Sequence, residues 1–412
     1  TYIYPTDAGA NAQKVQNAVD YFVIYKEIPS NPKYSIYLSK DATLADGTVT
    51  VSVGFDAGEN ENVTAVNYTS DATQNVIIRT NGGTLTVNGA ESSVDHYGAA
   101  NLIDIEKVKD ASFHEFGSAA VVTVTSGRFV AESTAKVLRV HAAASTAKLA
   151  EVSGANVVEY TKAANVEVTV ENSTKEVTET EEELKNIKNI GKNTELVAEG
   201  GVAEINGMQF KDLQSAFNAA KDGDTIKVLE DSDLPASLTQ NVSVTLDMNG
   251  KTIKNPNDIW SDTSWSLISV QAGALTITGN GALIAKDGDC YAVDVQNKDA
   301  KCVIENGTFV GNIHAVYVFE GVLTVKGGTY SVQQKYPDAN KADGFVLNCY
   351  DANYKNSTAK ITVTGGTFKI FNPADCCAEG EHTNFCADGY KTEKSEKPNE
   401  LGVEYYTVAK AN

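Results

Sequence analysis

The stretch INGMQFKDLQSAFNAAKDGDTIKVLED, residues 205–231, carries a helical pattern inside a chain that otherwise reads as short β-strands. Phe210, Leu213, Phe217 and Ala220 recur at three- and four-residue spacing, and Ala216 and Ala219 add helix propensity beside them. An amphipathic helix is therefore expected near 210–221. Lys221-Asp222-Gly223-Asp224 supplies the stop, and TIKVLE then switches to period two with Ile226 and Val228 on one face. A helix feeds directly into a strand.

The beginning of the chain is arranged similarly. Val15, Ala18, Val19 and Phe22 form a second helical stripe, and YSIYLSKDATL alternates like DTIKVLEDSDL. A first helix is expected near 11–22, so the helix-then-strand opening occurs twice.

Between these openings a small unit recurs: LTITGNGALIA, CVIENGTFVG, LTVKGGTYSV and ITVTGGTFKI each give alternating apolar residues, a Gly or Asn turn, then another apolar or aromatic residue. The glycines Gly250, Gly281, Gly307, Gly328 and Gly366 mark steps of 31, 26, 21 and 38 residues, and Gly83 and Gly127 differ by 44, two steps of 22. A step near 20 with loop insertions is what stacked coils require. The expected fold is all-β, a right-handed parallel β-helix (solenoid) in two tandem segments; an antiparallel β-sandwich array is the competing architecture and fits the irregular step less well. Residues 1–177 form the first segment with its cap helix, 178–200 a charged linker, and 201–412 the second segment with its cap helix and a Cys-containing closing segment. The cap helices have a physical task, because an end coil otherwise exposes unpaired strand edges and an open core.

Lys and Arg number 34 against 54 Asp and Glu, a formal charge of −20, and the three arginines are Arg79, Arg128 and Arg139. Such a chain repels phosphate backbones, so no nucleic-acid partner is expected. No run of 18 apolar residues is present, so no membrane span is expected, and the start at Thr1 fits a secreted chain whose signal peptide has been removed. Cys290, Cys302, Cys349, Cys376, Cys377 and Cys386 all lie in the second half. Their even number fits disulfides outside the cell, and at least one bridge is expected in the cluster from Cys376 to Cys386. Vicinal cysteines make poor joint ligands, so no metal and no cofactor are expected.

VAEINGMQFKDLQSAFNAAKDGDTIKVLED resembles the entry segment of right-handed β-helix domains in secreted and surface proteins of gut-type Gram-positive bacteria. GGTFKIFNPADCCAEGEHTNFCADGYK with VEYYTVAK is similar to their closing segment, and GGTLTVNGAESSVDHYGAANLIDI and SFHEFGSAAVVTV to their first-half repeats. The resemblance implies a pectate-lyase-like solenoid in an extracellular setting and carries no catalytic residues to transfer.

Parallel β-helices often cleave polysaccharides, which requires carboxylates gathered around calcium with a basic residue, or closely spaced Asp pairs with a His. Neither set is visible. Asp222 with Asp224 and Asp287 with Asp289 flank turn glycines, where Asp serves its own backbone. The most site-like groups are His96, His114 and Glu115, expected at matching coil corners, and the aromatic pair Trp260 and Trp265, suited to stacking on a sugar. Thr1, Tyr2, Ile3, Tyr4 and Pro5 alternate like a strand with no preceding partner and are the expected contact if copies join head to tail. The expectation is a non-catalytic extracellular surface, adhesive or appendage protein that partners itself or surface glycans. The competing expectation is a polysaccharide-binding or polysaccharide-degrading enzyme whose acids converge on folding.

Overall fold

Period-two alternation becomes strand pairing in the computed structural model, which describes residues 76–88, 93–108, 112–152, 157–170, 174–178, 180–181, 193–259, 265–288, 290–334, 345–395 and 404–411, with five further strands between Val23 and Thr69. The protein is mostly β with parallel sheets. Two compact units divide it: residues 1–201 with 207–211, and residues 202–206 with 212–412.

In the second unit, successive strands visit three sheets in turn. The first sheet aligns Thr225–Val228, Val244–Asp247, Ala274–Thr278, Lys301–Ile304, Gly321–Val325 and Ala359–Val363, all parallel. The second aligns Ser232–Asp233, Thr252–Lys254, Ala282–Ile284, Thr308–Gly311, Thr329–Val332 and Thr367–Lys369. The third aligns Leu238–Gln240, Ser266–Val270, Tyr291–Val295, Val316–Val318 and Leu347–Cys349.

Alternation then stacks like on like. Leu246, Ile277, Ile304, Val325 and Val363 form one registered buried column, and Ile253, Leu283, Phe309, Tyr330 and Phe368 another. The Phe309, Tyr330 and Phe368 rings stack at 5.2 and 4.8 Å. Each buried side chain of this size contributes roughly 1.5–3 kcal/mol of apolar burial. The marker glycines precede registered strands of the second sheet. Gly328 shows why glycine is needed there: its φ is +94°, and a Cβ would lie 2.9 Å from the carbonyl oxygen of Gly307 in the preceding turn.

Helix α1 spans Leu213–Ala219 and packs on Ala203–Ile205, Thr225–Val228 and Leu238–Gln240, so it covers the opening strands. It is shorter than the sequence pattern implied. Asp212 Oδ1 accepts from Ser215 N at 2.7 Å and caps the helix, while Phe210 belongs to the strand Met208–Phe210. At the other end Tyr405–Lys410 pairs antiparallel with Thr367–Lys369, and Tyr390–Lys394 pairs antiparallel with it in turn.

The first unit uses two parallel lanes. One runs through Val76–Asn81, the start of Val94–Lys107, Ser112–Glu115, Gly127–Ala131, Ala147–Val152 and Glu167–Val170. The other runs through Thr84–Asn88, the end of Val94–Lys107, Ser118–Val124, Lys136–Ala142, Val157–Lys162 and Lys175–Glu176. Val94, Phe113, Phe129 and Leu149 are buried in register in the first lane, and Ile103, Val122, Val140 and Tyr160 in the second.

The expected disulfide is not formed: all six cysteines are free thiols. Cys302 is buried in the first sheet between Leu275 and Leu323, and Cys349 at the end of the third, so each fills a hydrophobic position in its own column. Within the closing segment, Cys376 bridges Thr383 and Cys386 bridges Val363 through backbone instead of a covalent tie. The expected helix near 11–22 and most of the 178–200 linker lie outside the described residues.

Candidate functional site

The third sheet of the second unit holds the most site-like surface. Ile268, Val293, Val316 and Leu347 form its buried registered column. The alternate positions Ser269, Asp294, Tyr317 and Asn348 are also in register, and alternation turns them to the opposite face. Gln271 Nε2 donates to Ser269 Oγ at 2.7 Å and Gln296 Nε2 to Asp294 Oδ2 at 2.9 Å.

Aromatic rings border this column at both ends. Trp265 and Tyr291 stack at 6.4 Å where their strands begin, Tyr291 lies 5.2 Å from Tyr317, and His314 stacks on Tyr317 at 5.4 Å. Where the last two strands end, Phe319 and Tyr350 stack at 5.0 Å. Trp265, Phe319 and Tyr350 are 43, 38 and 45% exposed, far more than a packing role requires.

The polar groups among these rings are neutral or nearly so. His314 Nδ1 lies 2.6 Å from the carbonyl oxygen of Phe345, which can only accept, so the ring proton sits on Nδ1. Burial lowers its pKa to about 4, leaving Nε2 an acceptor, which Asn348 Nδ2 approaches at 3.4 Å. Asn348 Oδ1 is buried with no hydrogen-bond partner. Burial raises the Tyr317 hydroxyl well above its usual range, keeping it a donor. Beside the last strand, Glu379 Oε1 accepts from Cys349 N at 2.6 Å while Oε2 is buried without a partner. Burial first, and then the Asp351 carboxylate, raise the Glu379 pKa to about 7; the Cys349 N–H and Lys355 oppose that shift.

Of the residues singled out in the sequence, Trp265 lies on this surface, whereas Trp260 and Thr1, Tyr2, Ile3, Tyr4 and Pro5 lie outside the described residues. In the first unit, His96 and Glu115 pair at 2.7 Å, both fully buried, and Glu115 Oε1 also accepts from Gly117 N at 2.7 Å. His114 reaches Glu132 at 2.6 Å instead of joining them. A sealed His–Glu pair holds a turn and offers nothing to a substrate. Asp222 and Asp224 accept from the backbone of Ser243 and Lys221, at 2.6 and 2.9 Å, so both serve turns.

Burial raises the Cys290 and Cys302 thiols to about 12 and Cys376 and Cys386 to about 11, which keeps them protonated and weakly nucleophilic. Among the described residues, no group of three or more His, Cys, Asp or Glu is placed to hold a metal ion, and no helix is long and apolar enough to cross a membrane.

Tyr291, Tyr317, Asn348 and Tyr350 escaped the sequence reading. The signal was present: Val318 pairs with Cys349, and the same 31-residue offset carries Phe319 to Tyr350. Compared with family models, curated proteins and solved structures, the chain matches none.

Proposed function

We propose that the chain is a non-catalytic extracellular right-handed parallel β-helix of two tandem segments, a surface adhesive protein that contacts glycans through the third sheet of its second unit. The observation that carries this reading is two groups of rings on one strand-built sheet, Trp265, Tyr291 and Tyr317 in one and Phe319 with Tyr350 in the other, partly exposed. Flat rings stack on the apolar faces of sugars, and rings fixed by stacked strands lose little entropy on binding. The helical winding is supported by successive strands passing through three parallel sheets in rotation. The extracellular setting rests on the resemblance of the entry and closing segments. Burial shields three of the unpaired thiols, Cys290, Cys302 and Cys349, from oxidants. Head-to-tail self-association through Thr1–Pro5 belongs to the same proposal, and electron microscopy of the chain with and without those residues tests it.

A second reading, a polysaccharide-degrading enzyme, is favoured by one observation: Glu379 is held near neutrality beside the rings, with Asp351 and Lys355 acting on it. A glycan array combined with reducing-end assays separates the two. The adhesive reading expects retention without cleavage, lost in Phe319→Ala/Tyr350→Ala. Turnover abolished by Glu379→Gln replaces it with the enzyme.

A further inference from the structure

Building on the glycan-contact reading, we infer that the third-sheet face takes an extended, uncharged glycan laid across successive strands and rejects acidic sugars. Spacing is the first argument. Rings on neighbouring strands lie 5.2 Å apart at Tyr291 and Tyr317 and 5.0 Å apart at Phe319 and Tyr350. An extended pyranose chain advances by a similar step, so consecutive sugars meet consecutive strands.

Charge is the second argument. Asp294 lies in the registered column, and Glu379 with Asp351 stands at its last strand. The three arginines lie at 79, 128 and 139, all in the first unit, so the second unit itself carries no guanidinium to clamp a sugar carboxylate or sulfate. A uronic acid chain would bring its carboxylates towards Asp351, with Lys355 the cation that also acts on Glu379 and no guanidinium to form a bidentate clamp.

Hydrogen-bond polarity is the third. The buried Asn348 Oδ1 has no partner, and the neutral His314 has its only ring proton committed to Phe345. The pair therefore asks for a donor. A sugar hydroxyl supplies one, and a carboxylate seated at the same point does not. Leaving a buried acceptor unmatched is the strongest means a polar site has of rejecting the wrong ligand.

Titration calorimetry with neutral hexasaccharides (cello-, xylo-, manno- and N-acetylchitohexaose) against hexagalacturonate and a heparin hexasaccharide tests this. At least one neutral hexamer is expected to bind, with an affinity unchanged between low and high salt. Phe319→Ala/Tyr350→Ala weakens it about tenfold, as loss of ring stacking does. Asn348→Leu weakens it by a similar factor, Tyr350→Phe preserves it, and thermal unfolding shows that each variant keeps its fold. Tighter binding of an acidic hexamer, lost in the aromatic double variant, overturns the uncharged class and leaves the glycan-contact reading standing. Failure of every hexamer to bind at millimolar concentration overturns both.

Discussion

The first unit advances by 19, 16, 20 and 19 residues per strand along the column Val94, Phe113, Phe129, Leu149, Val168, whereas the second advances by 31, 27, 21 and 38 along Val244, Leu275, Cys302, Leu323, Ile361. The shorter step has room for two strands, the longer for three and for insertions. In sequence, those insertions precede the third-sheet strands Ser266–Val270 and Leu347–Cys349. Outward positions differ accordingly. In the first unit they are closed by internal pairs, such as Arg139 Nε donating to Glu159 Oε1 at 2.8 Å. In the third sheet of the second unit Ser269 and Asp294 are buried as well, and rings are exposed at its borders, at Trp265, Phe319 and Tyr350. A repeat that must stack varies most readily in what it adds between its strands.

The sharpest way to break the comparison is to attack what the units share. Phe113→Ala and Phe309→Ala each empty a fully buried ring position, and each is expected to cost about 3–5 kcal/mol, measured by urea unfolding. A loss under 1 kcal/mol at either site would mean that its column is not the core of that unit.

Next in size is the internal pairing peculiar to the first unit. Glu115→Ala removes the carboxylate that a buried imidazole and the Gly117 N–H both meet, with an expected loss of about 3 kcal/mol. Its exposed counterpart in the second unit, His382 with Asp375 at 2.9 Å, should give a change within about 0.5 kcal/mol for His382→Ala in the same measurement.

These pairs also show the reach of the sequence. The strand step was legible because Gly307, Gly328 and Gly366 answer to a local requirement, positive φ, which the residue type itself declares. The first turn of α1 was misplaced because Phe210 fits both a helical stripe and an alternating strand, and only the cap at Asp212 decides. His96 and Glu115 looked like a site because both are chemically able. Their full burial depends on neighbouring strands, which no local pattern records. Glu379 stayed invisible for the same reason: its raised pKa comes from burial and then from Asp351, against the opposing N–H of Cys349, thirty positions away.

A smaller effect sharpens the contrast at the closing segment. Glu379 has a folded pKa of about 7 against 4.5 for a free Glu, so the folded state holds the proton more tightly. Its contribution is full below about pH 4.5 and is lost as pH rises through about 7. On the order of 1 kcal/mol is expected after allowing for screening at a half-buried group. Thermal unfolding between pH 5 and 8 should slope downward more in the native chain than in Glu379→Gln; identical slopes would exclude this group as the cause.

Smallest is a difference in rate alone. Cys377 is exposed whereas Cys302 is fully buried, so a thiol reagent on native protein should label Cys377 first and Cys302 last. Six thiols should be titrated after unfolding without reductant, and fewer would restore the disulfide expectation.

The parallel pairing of the second unit also has a mechanical side. Hydrogen bonds between its strands point along the direction of stacking, so tension applied along that direction loads one layer at a time and peels it instead of shearing many bonds at once. Each layer released frees the 21 to 38 residues between registered positions, or about 70–130 Å of extended chain. Strands paired this way yield layer by layer under such a load.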